Sequence, residues 1–374
     1  MKNRRLRKLI GLLMLALLIF PSYTITAFAK DTDNRGKVAA PTPSLPPGKY
    51  YKSQTIELGS STPGVSIYYT LDGSIPTKQS HLYTEPITIS QNTVIKAIAI
   101  RGNVNSSALE VTNGKTNSEV VDLTYTFVTR ESIADKFLKL TYNSMPYRLY
   151  VPENYDPTKS YPLVLFLHGG GERGTDNVKQ IAANDGAVIW AAPENQAKHQ
   201  AFVLAPQARN VPDGGFGITR DSDNNINLSR VFEFSTDLGT AYEILQHVRN
   251  NYNIDSNRLY STGLSQGGFG TYNLNMKYPD LFAAMVPIAG GGDPEKAYLL
   301  ANKPIWEFHA VDDSVIPVSY SQNIIEAIRN VGGTPIYTEY PAELMYNHGS
   351  WVPAYENKEM IDWVFKQEKP ANVR

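Results

Sequence analysis

The segment YSTGLSQGGFG, residues 260–270, places Ser265 inside a Gly-x-Ser-x-Gly pattern with two further glycines behind it. A serine hydroxyl is a weak nucleophile until an imidazole takes its proton and a sharp strand-to-helix turn lifts its Oγ clear of the backbone. RLYST leads into the pattern and GGFGTYNLNMKY leads out, so the expected context is a strand, a turn and a helix. Gly263 and Gly267 would let neighbouring backbone pass close to a strained serine, where a Cβ would clash. A glycine-rich turn with a passive serine is the competing reading, and this context weighs against it.

A nucleophilic serine needs a base. The chain has six histidines. His81 lies in a β-rich region far upstream, His199 in a polar loop, and His247 follows two apolar positions on a helix and is expected to face solvent. His168 ends a strand directly before three glycines and reads as structural, while His309 ends the strand IWEFH. Only His348, in YNHGSW, follows a late strand on a loop able to reach the serine. The base in turn needs a carboxylate to hold its tautomer. HAVDDSVIP, residues 309–317, supplies Asp312 and Asp313 after another strand, and order alone does not separate them. The resulting order, serine then aspartate then histidine, is that of α/β-hydrolases and not of chymotrypsin or subtilisin.

An acyl carbonyl under attack becomes an oxyanion that two backbone N–H groups must meet. The residue after the nucleophile, Gln266, is one candidate. The other is a glycine of HGGGERG, residues 168–174, with Gly170 first by position and Gly171 next. A phosphate-binding loop is excluded there, because no Lys-Ser/Thr pair follows the glycines.

The surrounding chain must position these groups. Alternating strand and helix patterns from about residue 133 predict a mostly parallel sheet with helices on both faces. YPLVLFL is a continuous apolar run of the kind buried on both faces, and Ala241, Ile244, Leu245 and Val248 lie at helical spacing. Before it, residues 50–128 read as short strands parted by Gly, Pro and Asn turns, which predicts a small sandwich. KVAAPTPSLPPGKY, residues 37–50, carries four prolines and reads as an extended linker, assigned to 30–49.

The amino terminus reads as a signal peptide, residues 1–29: basic residues, a 12-residue apolar run from Leu9 to Phe20, then Ala27 and Ala29. The run is shorter than the ~20 residues a membrane span needs. The expected location is extracellular, with no membrane association after cleavage. Those first 29 residues hold five basic and no acidic side chains, so the mature chain carries 30 basic against 36 acidic residues, a net charge of −6. That balance argues against nucleic acid as a partner. Absence of cysteine excludes disulfides, thiolate metal sites and a cysteine nucleophile.

Two resemblances add to this reading. GVSIYYTLDGSIPT, LYTEPITIS and TVIKAIAI, in that order, resemble the chitobiase/β-hexosaminidase C-terminal domain, an immunoglobulin-like module. FLHGGGERGTDN, RLYSTGLSQGGFGTY, IWEFHAVDDSVIPV and NHGSWVPAYENKEMIDWVF resemble the secreted α/β-hydrolases that include feruloyl and acetyl-xylan esterases and predicted peptidases. In that family the acid stands four residues after the strand-end histidine, which implies Asp313 after His309 and leaves Asp312 as a solvated turn carboxylate. Ala310 departs from the glycine usual after that histidine.

The expectation is therefore an immunoglobulin-like sandwich (50–128) followed by an α/β-hydrolase domain (129–374). Its catalytic residues would be Ser265, Asp313 and His348, and its oxyanion donors Gly170 and Gln266. A secreted serine carboxylesterase of short-chain, acetyl or feruloyl esters, free or polysaccharide-linked, would need no cofactor or metal. A serine peptidase on the same triad is one alternative; a non-catalytic glycan-binding protein with a vestigial hydrolase fold is another. The small module would contact a carbohydrate polymer, the hydrolase domain or another subunit. Its Tyr50, Tyr51, Tyr68, Tyr69 and Tyr83 serve as sugar-stacking faces or, more often in sandwiches, as packing. Residues 208–234 read as a wall or lid. DSDNN within them starts like a calcium loop, but Ile226 stands where glycine belongs and Phe232 where the bidentate glutamate belongs, which favours a solvated loop.

Overall fold

The computed structural model describes residues 37–102 and 116–369, so the expected signal peptide lies outside the described residues. The first unit is all β. One sheet runs, in order, Gly48–Tyr50, Val121–Phe127, Thr93–Arg101, Val65–Thr70 and His81–Leu82, and it faces the pair Gln54–Ile56 with Ile87–Ile89. Ile56, Ile89, Ile95, Ala97, Leu123 and Tyr125 form the core between them. The strand Thr93–Arg101 is buried on both faces, since Ile98 and Ile100 pack with Tyr68 in a separate cluster.

The segment expected as a linker belongs in part to this sandwich. Thr42–Pro43 pairs with Leu58–Gly59, and Gly48–Tyr50 pairs with Tyr125–Phe127. Prolines are tolerated there because an edge strand needs no N–H on its open side. The hydroxyls of Tyr50 and Tyr125 donate to the carbonyls of Pro46 and Leu45, at 2.5 and 2.8 Å, and tie the segment down. Tyr50 and Tyr68 are buried, so neither offers a face to a sugar.

The second unit is an eight-stranded sheet. We number its strands β1 (Leu138–Tyr142), β2 (Met145–Tyr150), β3 (Tyr161–Leu167), β4 (Phe202–Pro206), β5 (Ile254–Leu264), β6 (Ala284–Ile288), β7 (Trp306–Ala310) and β8 (Ile336–Tyr340). Their spatial order is β1-β2-β4-β3-β5-β6-β7-β8. The pairs from β4 to β8 are parallel; β1 and β2 are an antiparallel hairpin at one edge. Its turn, Asn143-Ser144, has both φ angles positive (44° and 66°), the twist a tight hairpin requires. Helices α1 (Thr236–Asn251), α2 (Gln266–Lys277), α3 (Ser319–Asn330) and α4 (Lys358–Phe365) connect or follow the parallel strands. Ser235 caps α1 by accepting the Leu238 N–H, and Asn357 caps α4 by accepting that of Met360. Apolar clusters lie on both faces of the sheet, one around Phe166, Trp190 and Tyr355, the other around Leu163, Phe202 and Leu245.

The two units touch through a mostly polar contact. The Glu194 carboxylate accepts the N–H groups of Tyr51 and Lys52. Lys52 lies between Asp185 and Glu356, and Asp185 also accepts from Tyr51 and Arg130.

Candidate active site

Everything in the site hangs from the carboxyl ends of adjacent parallel strands. β5 ends at Leu264, α2 begins at Gln266, and Ser265 stands between them with φ 54° and ψ −118°. Such a conformation is costly for a residue with a Cβ and persists only where the surroundings enforce it. The glycines are part of that enforcement. A Cβ on Gly267 would stand 1.9 Å from the Leu167 carbonyl oxygen, and one on Gly263 would stand 2.3 Å from that of Gly267. Both obstacles are backbone and cannot swing away, so only glycine allows β3, β5 and α2 to converge beneath the serine.

Ser265 Oγ is 2.9 Å from His348 Nε2, and His348 Nδ1 is 2.8 Å from Asp313 Oδ2. The carboxylate can only accept, so Nδ1 carries the imidazole proton and Nε2 is the free base facing the serine. The Asp313 carboxylate accepts four hydrogen bonds. Its Oδ1 accepts the N–H groups of Val315 and Ile316, and its Oδ2 accepts from His348 and from His309 Nε2 at 3.1 Å. Burial alone would raise its pKa, but the hydrogen bonds from His309, His348 and Ile316 outweigh it and hold the carboxyl well below the usual range. Asp313 is therefore ionised at neutral pH.

Asp312 is not merely a solvated turn carboxylate. It accepts the Asn347 N–H with both oxygens, at 3.1 Å each, while the Asn347 side chain accepts from the N–H and hydroxyl of Ser314. These bonds lock the loop after β7 to the loop carrying His348.

Gly170 opens a single 3-10 turn, Gly170–Glu172, and the preceding Gly169 packs so tightly on β5 that a Cβ there would lie 2.8 Å from Leu264 Cδ1. Among the described residues, neither the Gly170 nor the Gln266 N–H has a protein acceptor. The Gln266 side chain turns away, donating to the Thr219 hydroxyl. His168, expected as structural, bears on this arrangement. Its Nε2 accepts the Ala208 N–H at 3.0 Å, so its Nδ1 carries the proton and donates to the Gly169 carbonyl at 2.7 Å. In a trans peptide the N–H points opposite the carbonyl. Holding the Gly169 oxygen therefore fixes the direction of the Gly170 N–H. Burial pushes His168 down to about 4, so it stays neutral near pH 7.

The remaining histidines lie elsewhere. His81 pairs with Tyr69 in the sandwich, His247 is exposed beside Tyr142, and His199 bonds Asp362 at 2.9 Å and stacks on Phe365. Residues 218–230 form a hairpin, Ile218–Arg220 with Ile226–Arg230. The Asp221 carboxylate accepts the N–H groups of Asp223 and Asn225 at its tip, and among the described residues no acidic or histidine cluster able to hold a metal is found.

Comparison with known proteins agrees with this architecture. The family model described as "Putative esterase" matches residues 140–329, half of the chain. The chain belongs to the esterase family. Residues 45–112 match the chitobiase/beta-hexosaminidase C-terminal domain. A crystal structure described as a thermostable esterase is 32% identical, with a TM-score of 0.59, over 87% of this chain and 92% of that one. That esterase match spans both units. Among curated relatives, poly(3-hydroxyalkanoate) depolymerase C of Paucimonas lemoignei is 35% identical over 35% of this chain and 28% of its own length. The "probable feruloyl esterase C" of Aspergillus niger is 25% identical over 53% of this chain and 66% of its own. The chain thus spans less than two thirds of the length of these curated relatives.

Proposed function

We propose that the protein is a secreted serine carboxylesterase acting on short-chain, acetyl or feruloyl esters, free or attached to a polysaccharide. The observation that carries the reading is the hydrogen-bonded line from Ser265 through His348 to Asp313, mounted on a strained turn. His348 Nε2 takes the Ser265 proton as Oγ attacks the carbonyl carbon. The oxygen that gains charge is met by the N–H groups of Gly170 and Gln266. The protonated imidazole, held by Asp313, then gives its proton to the departing alcohol. Water repeats the cycle in reverse and frees the acid. Export rests on the amino-terminal pattern of residues 1–29; among the described residues no helix is long and apolar enough to cross a membrane. Polymer contact by the sandwich would fall to Tyr69 and Tyr83, which pack edge to face and stay partly open.

Fluorophosphonate labelling tests the nucleophile: the wild type should be labelled at Ser265 and Ser265→Ala should not. A panel of p-nitrophenyl acetate, butyrate and decanoate, methyl ferulate, acetylated xylan and a peptide p-nitroanilide tests the substrate class. We expect acetate, butyrate or ferulate to have the highest kcat/KM. A higher value for the anilide would make the protein a peptidase, and no labelling together with no turnover would make it a binding protein.

A further inference from the structure

Behind the acid lies a buried line of polar groups that the reaction itself does not use. Glu307 and His309 alternate with Phe308 on β7, so both point to one face of a strand whose other face meets the apolar core. Both are fully buried. Tyr272 of α2 donates to Glu307 Oε2 at 2.5 Å. Glu307 Oε1 is 2.5 Å from Ser321 Oγ of α3, and Ser321 Oγ is 2.6 Å from His309 Nδ1. His309 Nε2 then reaches Asp313 Oδ2 and the Ile316 carbonyl, each at 3.1 Å.

The proton on each link follows from the partners. His309 Nε2 faces two acceptors, so it carries a hydrogen. In a neutral imidazole Nδ1 is then an acceptor, and its only partner is the Ser321 hydroxyl. Once that hydroxyl donates to Nδ1, its oxygen can only accept from Glu307, which must hold a proton. Every donor then points toward Asp313. Burial favours this neutral form, because among the described residues no cation lies beside Glu307; the groups facing it are Tyr272, Ser321 and, from β8, Tyr337.

We propose that Glu307, Ser321 and His309 form a neutral buried relay that positions the acid, with His309 the positioning residue in contact with Asp313. Without it, Oδ2 keeps only its bond to His348, and the carboxylate, held then at Oδ1 alone by the Val315 and Ile316 N–H groups, is set less firmly on the Nδ1 axis. Burial pushes Glu307 up to about 8, whereas Tyr272 and Tyr337 are pushed above the ordinary tyrosine range and do not titrate there. When Glu307 loses its proton, Ser321 turns its hydrogen to the carboxylate and His309 Nδ1 loses its donor.

The proposal rests on the esterase reading, and two measurements keep the two apart. The first is kinetic, on p-nitrophenyl acetate with concentrations corrected for folded protein. His309→Phe keeps a planar ring but removes both nitrogens, and should lower kcat about 10- to 100-fold with KM within about twofold. Wild-type kcat should fall above pH about 8. Glu307→Gln, which still donates to Ser321 and accepts from Tyr272, should remove that fall, and Glu307→Leu should be slow at every pH. An unchanged kcat in His309→Phe, or the same alkaline fall in Glu307→Gln, would overturn the proposal. The second uses no substrate: the ¹⁵N shifts of His309 at pH 7 should show a neutral ring with its proton on Nε2. An imidazolium, or the Nδ1–H tautomer, would also overturn it. If the wild type proved inactive and unlabelled at Ser265, the esterase reading alone would fall, and the ¹⁵N shifts would still decide the relay.

Discussion

At Ser265 stability and chemistry pull in opposite directions. Its backbone sits where glycine is at ease and other residues are strained by about 1–3 kcal/mol. Ser265→Gly should therefore abolish turnover while raising stability by about 1–2 kcal/mol, read as a higher Tm in calorimetry. An unchanged or lower Tm would mean that the serine's own contacts offset the strain. The two adjacent aspartates make a second residue-level prediction. Asp313→Asn should lower kcat on the order of 10⁴-fold by favouring the wrong tautomer of His348; that magnitude is the one recorded for the serine-protease example and is carried over by analogy. Asp312→Asn leaves the acid in place and weakens only its hold on the Asn347 N–H, so its cost in kcat should stay below about tenfold. Steady-state kinetics of the two variants on one ester would separate them, and a reversed order would move the acid's role to Asp312.

The loop after β3 shows how an element stores pH dependence. His168 has a pKa of about 4 when folded, below the ordinary 6.5. The unfolded chain binds a proton first as pH falls, so stability is lost between about pH 6.5 and 4 and is fully present above that window. The size is about 3 kcal/mol by that linkage. His168→Gln should flatten that part of the curve, measured by urea unfolding at pH 7 and at pH 4.5. An equal slope in both proteins would remove His168 as its source. The same elements show what was readable beforehand. Strand–helix alternation, the apolar run of β3 and the glycines around Ser265 are local patterns, and they revealed the sheet and the Ser-Asp-His order. The Asn143-Ser144 hairpin lacks glycine and escaped notice, and prolines at 41–47 masked edge strands. The Glu307–Ser321–His309 line joins β7 to α3, and no local pattern records which side of a helix meets a strand. One signal was available, namely two ionisable residues alternating with Phe308 in an otherwise apolar strand.

For the molecule as a whole, the question is how far the sandwich supports the site. Ser265, His348, Asp313 and the relay all lie in the second unit, so a chain beginning at Thr129 should still hydrolyse p-nitrophenyl acetate with kcat within about threefold. It would expose Tyr51's docking surface and leave Asp185 with Arg130 alone, so its Tm should be lower by several degrees. Loss of small-ester turnover in the folded truncated protein would mean that the sandwich helps build the site. The helix Trp351–Glu356, which starts three residues after His348 and ends at the Lys52 contact, is the segment that would transmit such an effect.

That contact also makes the arrangement of the two units sensitive to ionic strength. Lys52 and Glu356 are 26% and 47% exposed, so dissolved ions reach them, whereas Asp185 is 12% exposed and is better shielded. Raising salt from 0.01 M to 1 M shortens the Debye length from about 30 Å to about 3 Å. The Lys52–Glu356 pair should loosen first, and the sandwich should pivot about the Asp185 and Glu194 bonds. Small-angle scattering would record a broader distribution of intramolecular distances in brine, with turnover of a small ester barely changed. At high ionic strength the two halves would sample more orientations than at low, giving the protein a reach set by dissolved salt.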